Sequence, residues 1–192
     1  MKISNYKALV IGVSAGGLNA LSILLASFTA DFPIPIIVTQ HRLPAKNDLL
    51  TGILRTITQL KVRKAEDKDN IEPGYIYLAP PDYHLLIEND KTISLSCDEK
   101  VNFARPSIDV MFKSAASVWG SDLIGVILTG SSSDGSLGMV QIKKSGGMTI
   151  AEDPETAEYS MMPQSAINIG SIDQVLSLSK IGEFINDLVK MN

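Results

Sequence analysis

Gly12-Val13-Ser14-Ala15-Gly16-Gly17 directly follows the apolar run Ala8-Leu9-Val10-Ile11. A serine in that setting leaves a strand on a glycine-tightened turn and opens a helix. Its hydroxyl then stands clear of the sheet and beside free helix N-terminal amides, which suits a nucleophile. Two more residues of matching chemistry, His41 and Asp134, also stand just beyond apolar runs. A serine, a histidine and an aspartate at hydrogen-bond distance supply a nucleophile, its general base and the group that orients the base. In a parallel sheet all C-terminal strand ends share one edge, and neighbouring strands lie about 4.8 Å apart, so side chains at adjacent ends can meet.

Each residue also has a purely structural reading. Ser14 suits the N-cap of a helix starting near Gly16, and Asp134 suits the N-cap of a helix after Gly135. His41 alone reads as a solvated or core histidine, and His84, in Ala79-Pro80-Pro81-Asp82-Tyr83-His84, is a rival base. Ser131-Ser132-Ser133 offers other hydroxyls but reads as a polar loop. The glycine turn could cradle phosphate. However, it lacks Gly-x-Gly-x-x-Gly spacing, no Gly-Lys-Ser/Thr follows, and Gln40-His41 stands where a ribose-binding acid would be. No nucleotide cofactor is expected. With 2 histidines and 1 cysteine at remote positions, no metal site is expected either.

The elements that must position these residues follow a strand–helix rhythm. Residues 7–13 read as a buried parallel strand, followed by a helix over about 16–28 carrying Leu18, Leu21, Leu24, Leu25 and Phe28. Ile34, Ile36, Ile37 and Val38 predict a second buried strand after Pro33 and Pro35. Leu49, Leu50, Ile53, Leu54 and Ile57 mark a second helix, capped by Asn47 or Asp48. Short strands around 61–65, 74–79, 83–88 and 92–96 predict an antiparallel excursion, with Asn89-Asp90 as a two-residue hairpin turn. Ile93 and Leu95 alternate with Thr92, Ser94 and Ser96, so one face of that strand is expected to be wet. Pro106 suits the first turn of a helix bearing Ile108, Met111, Phe112 and Ala115 and closed by Trp119-Gly120. A buried strand over 123–129, a helix over 135–145 ended by Gly146-Gly147, a strand at 148–151, a loop over 152–164 and a C-terminal helix with Ile181, Phe184, Ile185 and Leu188 complete the reading. The fold class expected is α/β: a doubly wound, mostly parallel sheet with helices on both faces and an antiparallel hairpin excursion.

At 192 residues and 45% apolar content, the chain is long and apolar enough for one domain with a full core. The balance of 17 basic against 21 acidic side chains gives −4 with no basic block, which argues against nucleic acid as a partner. Cys97 has no second cysteine to pair with, fits a reducing compartment, and reads as a small residue at a strand end. No apolar run approaches the roughly 20 residues of a membrane span. Lys2 and Lys7 before a short apolar stretch mimic a signal peptide, but the run is too short and continues into a good helix. A cytoplasmic protein is expected, without membrane insertion.

Several separate stretches, in order from about residue 7 to the end, resemble the CheB-type protein-glutamate methylesterase domain. They are Ile11-Gly12-Val13-Ser14-Ala15-Gly16-Gly17, Gln40-His41-x-x-Pro44, Tyr77 to His84, Arg105-Pro106-Ser107-Ile108-Asp109-Val110-Met111-Phe112, Gly125 to Gly135, and Met162-Pro163-x-x-Ala166-Ile167. The resemblance implies an α/β fold that hydrolyses glutamate methyl esters on chemoreceptors and releases methanol; some members also deamidate glutamine. It places the nucleophile on Ser14, the base on His41 and the triad aspartate on Asp134. The implied partners are the cytoplasmic helices of methyl-accepting chemoreceptors, with a separate receiver protein left open. The chain is expected to be a single esterase domain over 1–192 without the N-terminal receiver domain common in the family.

Two positions depart from the family. Threonine commonly follows the nucleophile and helps hold the oxyanion; here the residue is Ala15. Losing one oxyanion donor costs about 2.7–4 kcal/mol when nothing replaces it. Ser131 stands where the family often has methionine, but there the backbone amide is the donor. The resemblance thus implies oxyanion contacts from the backbone near Ala15, Gly16 and Ser131. Arg42 and Arg105 could contact an acidic receptor helix, or be ordinary surface arginines. Two rival readings remain: a regulatory or binding module that kept the fold without the chemistry, and a hydrolase of other esters or amides.

Overall fold

The computed structural model describes residues 6–42 and 49–190. Its strands are β1 (Ala8–Val13), β2 (Ile36–Gln40), β3 (Lys61–Lys64), β4 (Tyr75–Leu78), β5 (His84–Ile87), β6 (Ile93–Ser96), β7 (Leu123–Ile127), β8 (Met148–Glu152) and β9 (Gln174–Leu176). Its helices are α1 (Gly17–Ala26), α2 (Leu49–Ile57), α3 (Ile108–Trp119), α4 (Ser136–Lys144), α5 (Met161–Asn168) and α6 (Leu178–Lys190). Seven strands form one sheet in the order β3-β4-β2-β1-β7-β8-β9, with every pair parallel. The chain starts in the middle, at β1. It winds outward to β2 on one side and later returns to β7 on the other. The reversal leaves a crevice above the C-terminal end of β1, the place where open α/β sheets bind ligands.

Every residue of β1 is buried, because helices cover the sheet on both faces. Leu9, Ile11 and Val13 enter one core layer with Leu21, Leu24, Leu25, Leu54, Ile181 and Ile185 of α1, α2 and α6. Ala8 and Val10 enter the other with Ile108, Met111, Phe112 and Ala115 of α3, Met139 and Ile142 of α4, and Met162 of α5. A strand buried on both sides reads as a continuous apolar run, which is how β1 appears in the sequence. The antiparallel pair β5–β6 packs against α3 and contributes Leu85, Ile87 and Ile93 to this second layer. The Ile87 amide donates to Ser114 Oγ at 3.0 Å, tying hairpin to helix.

The excursion expected over 61–96 is antiparallel only in its second half. β3 and β4 instead extend the main sheet in parallel, beyond β2. Period-two burial is the same in either orientation, so the short strands carried no signal of direction. The hairpin loop has three residues rather than two: Lys91 N donates to Glu88 O at 2.8 Å, Glu88 N to Thr92 O at 2.9 Å, and Lys91 takes the left-handed conformation at φ 64°. Pro106 does not enter the first turn of α3. It precedes Ser107, the N-cap, whose Oγ accepts from Val110 N at 3.4 Å. The loop expected over 152–164 already contains the start of α5, and β9 was not anticipated. Cys97 is exposed, one residue beyond β6. The expected caps Asn47 and Asp48, together with Pro44 and Lys2, lie outside the described residues. Among those described, no helix is long and apolar enough to cross a membrane.

Close approach of α3 to β1 depends on Gly12. A Cβ there would overlap the buried Ile108 Cγ2 methyl and lie 3.1 Å from Phe112 Cζ. Gly12→Ala is therefore expected to cost about 1–3 kcal/mol by overpacking, read as a lower urea midpoint at unchanged slope. An unchanged midpoint would show that α3 can move aside freely.

Candidate active site

Three adjacent strand ends build the crevice. Ser14 N donates to Thr129 O at 3.0 Å and His41 N to Val13 O at 3.1 Å, so the ladder continues one residue past β1 and β2. Backbone pairing thereby fixes the main-chain positions of both residues. Beyond Ser14 the chain turns sharply: Gly17 N donates to Ser14 O at 3.0 Å, and Gly16 adopts φ 75° as the N-cap of α1 without any side-chain capping bond. Ser14 therefore does not cap that helix, and its hydroxyl makes no hydrogen bond among the described residues. Gly130 allows the loop after β7 to approach it. A Cβ on Gly130 would lie 2.9 Å from Ser14 Cβ and 2.7 Å from Met162 Cε.

Asp134 does not cap α4 either; Gly135, at φ 95°, occupies that position. Its carboxylate, fully buried, turns instead to the N-terminus of α3 and to His41. Oδ2 accepts from Ile108 N at 2.6 Å and from His41 Nε2 at 2.7 Å. Oδ1 accepts from Ser107 Oγ at 2.9 Å, Asn102 Nδ2 at 3.0 Å and Asp109 N at 3.2 Å. A carboxylate can only accept, so Nε2 of His41 carries a proton, and in the neutral imidazole Nδ1 is the nitrogen left as acceptor. Burial pushes the Asp134 carboxyl up, but the bonds from His41, Asn102 and the Ile108 amide outweigh it and hold the group below the ordinary aspartate range. The positive end of the α3 dipole acts in the same direction.

A second buried carboxylate stands beside the first. Asp109 accepts from Gly138 N at 2.6 Å and from the same Asn102 amide at 3.0 Å. Burial pushes it up, the negative charge of Asp134 adds to this, and the Gly138 amide opposes. Asn102, Ser107 and Asp109 were not singled out as site residues from sequence. The one signal available was an acidic residue within the apolar face of a helix.

Ser14 and His41 line a cleft of about 350 Å³ together with Arg42, Asn102, Arg105 and Ser131. A second, more open groove on the other side of Ser14 is lined by Gly16, Leu18, Gln40, Ile53 and Glu158. The amides of Ala15, Gly16 and Ser131 donate to no acceptor among the described residues. The Ala15 carbonyl accepts from Thr129 Oγ1 at 3.0 Å. Arg105 is committed within the protein: it donates to Asp82 Oδ1 at 2.8 Å and to the carbonyls of Cys97 and Asp98 at 2.7 and 3.0 Å. It shapes the cleft wall. Arg42 reaches the Ala79 carbonyl at 3.3 Å. The rival His84 is buried away from the crevice, with Nδ1 accepting from Ser107 N at 3.1 Å and Nε2 bonded to Glu99 O at 3.0 Å. Among the described residues no group of three or more His, Cys, Asp or Glu is placed to hold a metal.

A doubly wound α/β protein with a hydroxyl, an imidazole and a buried carboxylate around its switch-point crevice is the class that fold and site define. The CheB methylesterase family model matches residues 9–185, and the chain belongs to that family. A provisionally named protein-glutamate methylesterase/protein-glutamine glutaminase of Leptospira interrogans is 50% identical over 98% of this chain and 97% of its own. The protein-glutamate methylesterase/protein-glutamine glutaminase of Thermotoga maritima is 39% identical over 95% of this chain and 54% of its own, so this chain spans about half of that relative. The crystal structure of the Thermotoga maritima CheB methylesterase catalytic domain superposes with a TM-score of 0.91 at 38% identity, covering 97% of this chain and 99% of that one.

The lowered Asp134 carboxyl has a sign that can be checked. A group depressed on folding stabilises the protein above its unfolded value, near 3.8, and that contribution is lost as pH falls through the folded value. The stability difference between wild type and Asp134→Asn is expected to be full at neutral pH and to shrink as pH falls below 3.8. Urea titrations at pH 7 and pH 3 read it. A difference that stays constant or grows in acid would contradict the account.

Proposed function

We propose that this chain is a serine hydrolase that cleaves glutamate 5-O-methyl esters on the cytoplasmic helices of chemoreceptors, releasing methanol. The observation that carries the reading is the 2.7 Å bond between His41 Nε2 and a fully buried Asp134, beside a serine whose hydroxyl bonds to none of the described residues. His41 Nδ1 takes the Ser14 proton as Oγ attacks the ester carbonyl. Asp134 keeps the imidazole in the tautomer that leaves Nδ1 basic and stabilises the imidazolium. The amides of Gly16 and Ser131 receive the oxyanion. Collapse of the tetrahedral species returns the proton from His41 to the departing methoxide, giving methanol and a glutamyl ester on Ser14. Water, deprotonated by the same imidazole, then attacks that ester. Glutamate leaves and Ser14 regains its proton.

Glutamine deamidation follows the same course, with ammonia taking the proton in place of methanol. The names of the relatives, which join both activities, support this pairing. A methyl ester on a helix must be reached in place. The open groove beside Ser14 offers room for a helix, and the cleft on its other side offers room for the glutamyl side chain.

Methanol release from methylated receptor helices tests the reading. Ser14→Ala and His41→Ala are each expected to lower kcat by about 10⁴-fold or more. Release at the wild-type rate from Ser14→Ala would place the nucleophile elsewhere, and no release from wild type would leave a non-catalytic module of the same fold. His84→Ala is expected to behave differently. Loss of its two hydrogen bonds, the buried one from Ser107 N and the half-buried one to Glu99 O, costs about 1–3 kcal/mol of stability, while the folded protein keeps most of its rate. Equal loss of rate from His41→Ala and His84→Ala, both folded, would contradict the assignment of the base.

A further inference from the structure

The oxyanion amides lie in two loops that have no covalent reason to keep a fixed relation. One residue joins them. Thr129, 1% exposed, uses every polar atom it has at this point. Its carbonyl accepts from Ser14 N at 3.0 Å, and its amide donates to Glu152 Oε2 at 2.8 Å. Its hydroxyl accepts from Tyr159 N at 2.8 Å, which directs its single proton to the Ala15 carbonyl at 3.0 Å rather than to Tyr159 O at 3.4 Å. Glu152 is itself buried at 1% exposure, on the neighbouring strand end. Gly130, the next residue, donates to Tyr159 O at 3.0 Å and accepts from Met162 N at 3.0 Å, so the segment leading to Ser131 is pinned by the same strut.

We propose that Thr129, held in place by Glu152, is the positioning residue of the oxyanion site: its hydroxyl fixes the plane of the Ala15–Gly16 peptide and thereby the aim of the Gly16 amide. The inference rests on the hydrolase reading above. In a trans peptide the C=O and the next N–H are rigidly opposed, so a carbonyl clamped on one side leaves the amide on the other unable to rotate. Gly16, at φ 75°, has no Cβ to limit the turn, so without the clamp that peptide is free to swing. Ala15 offers no hydroxyl of its own to the oxyanion, so the aim of the backbone donors matters the more. A misplacement on the order of 1 Å at such a site can cost about 100-fold in rate.

The experiment compares Thr129→Val, Thr129→Ser and Glu152→Gln on two substrates, methylated receptor helices and p-nitrophenyl acetate, with a thermal melt for each protein. Thr129→Val keeps the shape but can neither accept from Tyr159 nor donate to Ala15. It is expected to lower kcat about 10- to 100-fold with KM changed less than about threefold, the mark of an interaction made in the transition state. Thr129→Ser retains both bonds and should stay within about threefold of wild type. Glu152→Gln, which keeps an acceptor for the Thr129 amide, should also retain most of the rate. Wild-type kcat in folded Thr129→Val overturns the proposal, as does a loss in Thr129→Ser as deep as in Thr129→Val. If Thr129→Val fails to fold, Thr129→Ala, which loses the same two bonds with less bulk against Tyr159 N, is read in its place: the same fall in kcat supports the proposal and wild-type kcat overturns it. If wild type hydrolyses the activated ester but not the receptor helices, the substrate reading fails while the ester kinetics still decide the role of Thr129. If it hydrolyses neither, both fall.

Discussion

A carboxylate fully removed from water must find a protein donor for each hydration contact it gives up. Asp134 meets this demand with five donors from α3, its cap, the Asn102 loop and His41. The cost of burying the charge is offset only while all of them stay in place, so the carboxylate constrains the surrounding architecture. The N-terminus of α3 must lie under the loop after β7, which requires Gly12 to let the helix down onto β1. Asp109 then reaches Gly138 and locks the first turn of α4 to α3. Even His84 belongs to this frame, since it holds the amide of Ser107, whose hydroxyl bonds Asp134.

The imidazole receives its orientation as a consequence. His41 is set at the end of β2 by the backbone and turned by a carboxylate that has no freedom to move. Ser14 is set at the end of β1 by the Thr129 carbonyl. The same loop after β7 carries Asp134 at one end and Thr129 at the other, so it bonds both His41 and the turn at Ser14. On the proposed mechanism, a single loop coordinates general-base chemistry with oxyanion binding.

The central sheet was legible because its strands are buried on both sides: continuous apolar runs at β1, β2 and β7 need no partner to be recognised. The glycines marked the turn at Ser14, and the strand ends placed Ser14, His41 and Asp134 on one edge. What the sequence hid was relational. β3 and β4 are short, and the same alternation serves either strand direction, so their parallel pairing depended on long-range contacts. α5 is eight residues long with Pro163 in its first turn, and β9 is three residues long; neither has enough length to show a period. Asn102, Ser107, Asp109 and Thr129 are ordinary polar residues at their own positions. Only the folded chain shows that their hydrogens converge on one carboxylate or one carbonyl. The commitment of Arg105 to Asp82 and two carbonyls was hidden for the same reason.

The most direct test of the central claim is covalent trapping. A fluorophosphonate reacts with a serine only when its hydroxyl is deprotonated by a positioned base and the resulting anion is held by oxyanion donors. Peptide mapping after labelling should find the adduct on Ser14 alone, with the rate collapsing in His41→Ala. An adduct on Ser131, Ser132 or Ser133, or labelling of Ser14 at the same rate without His41, would contradict the account.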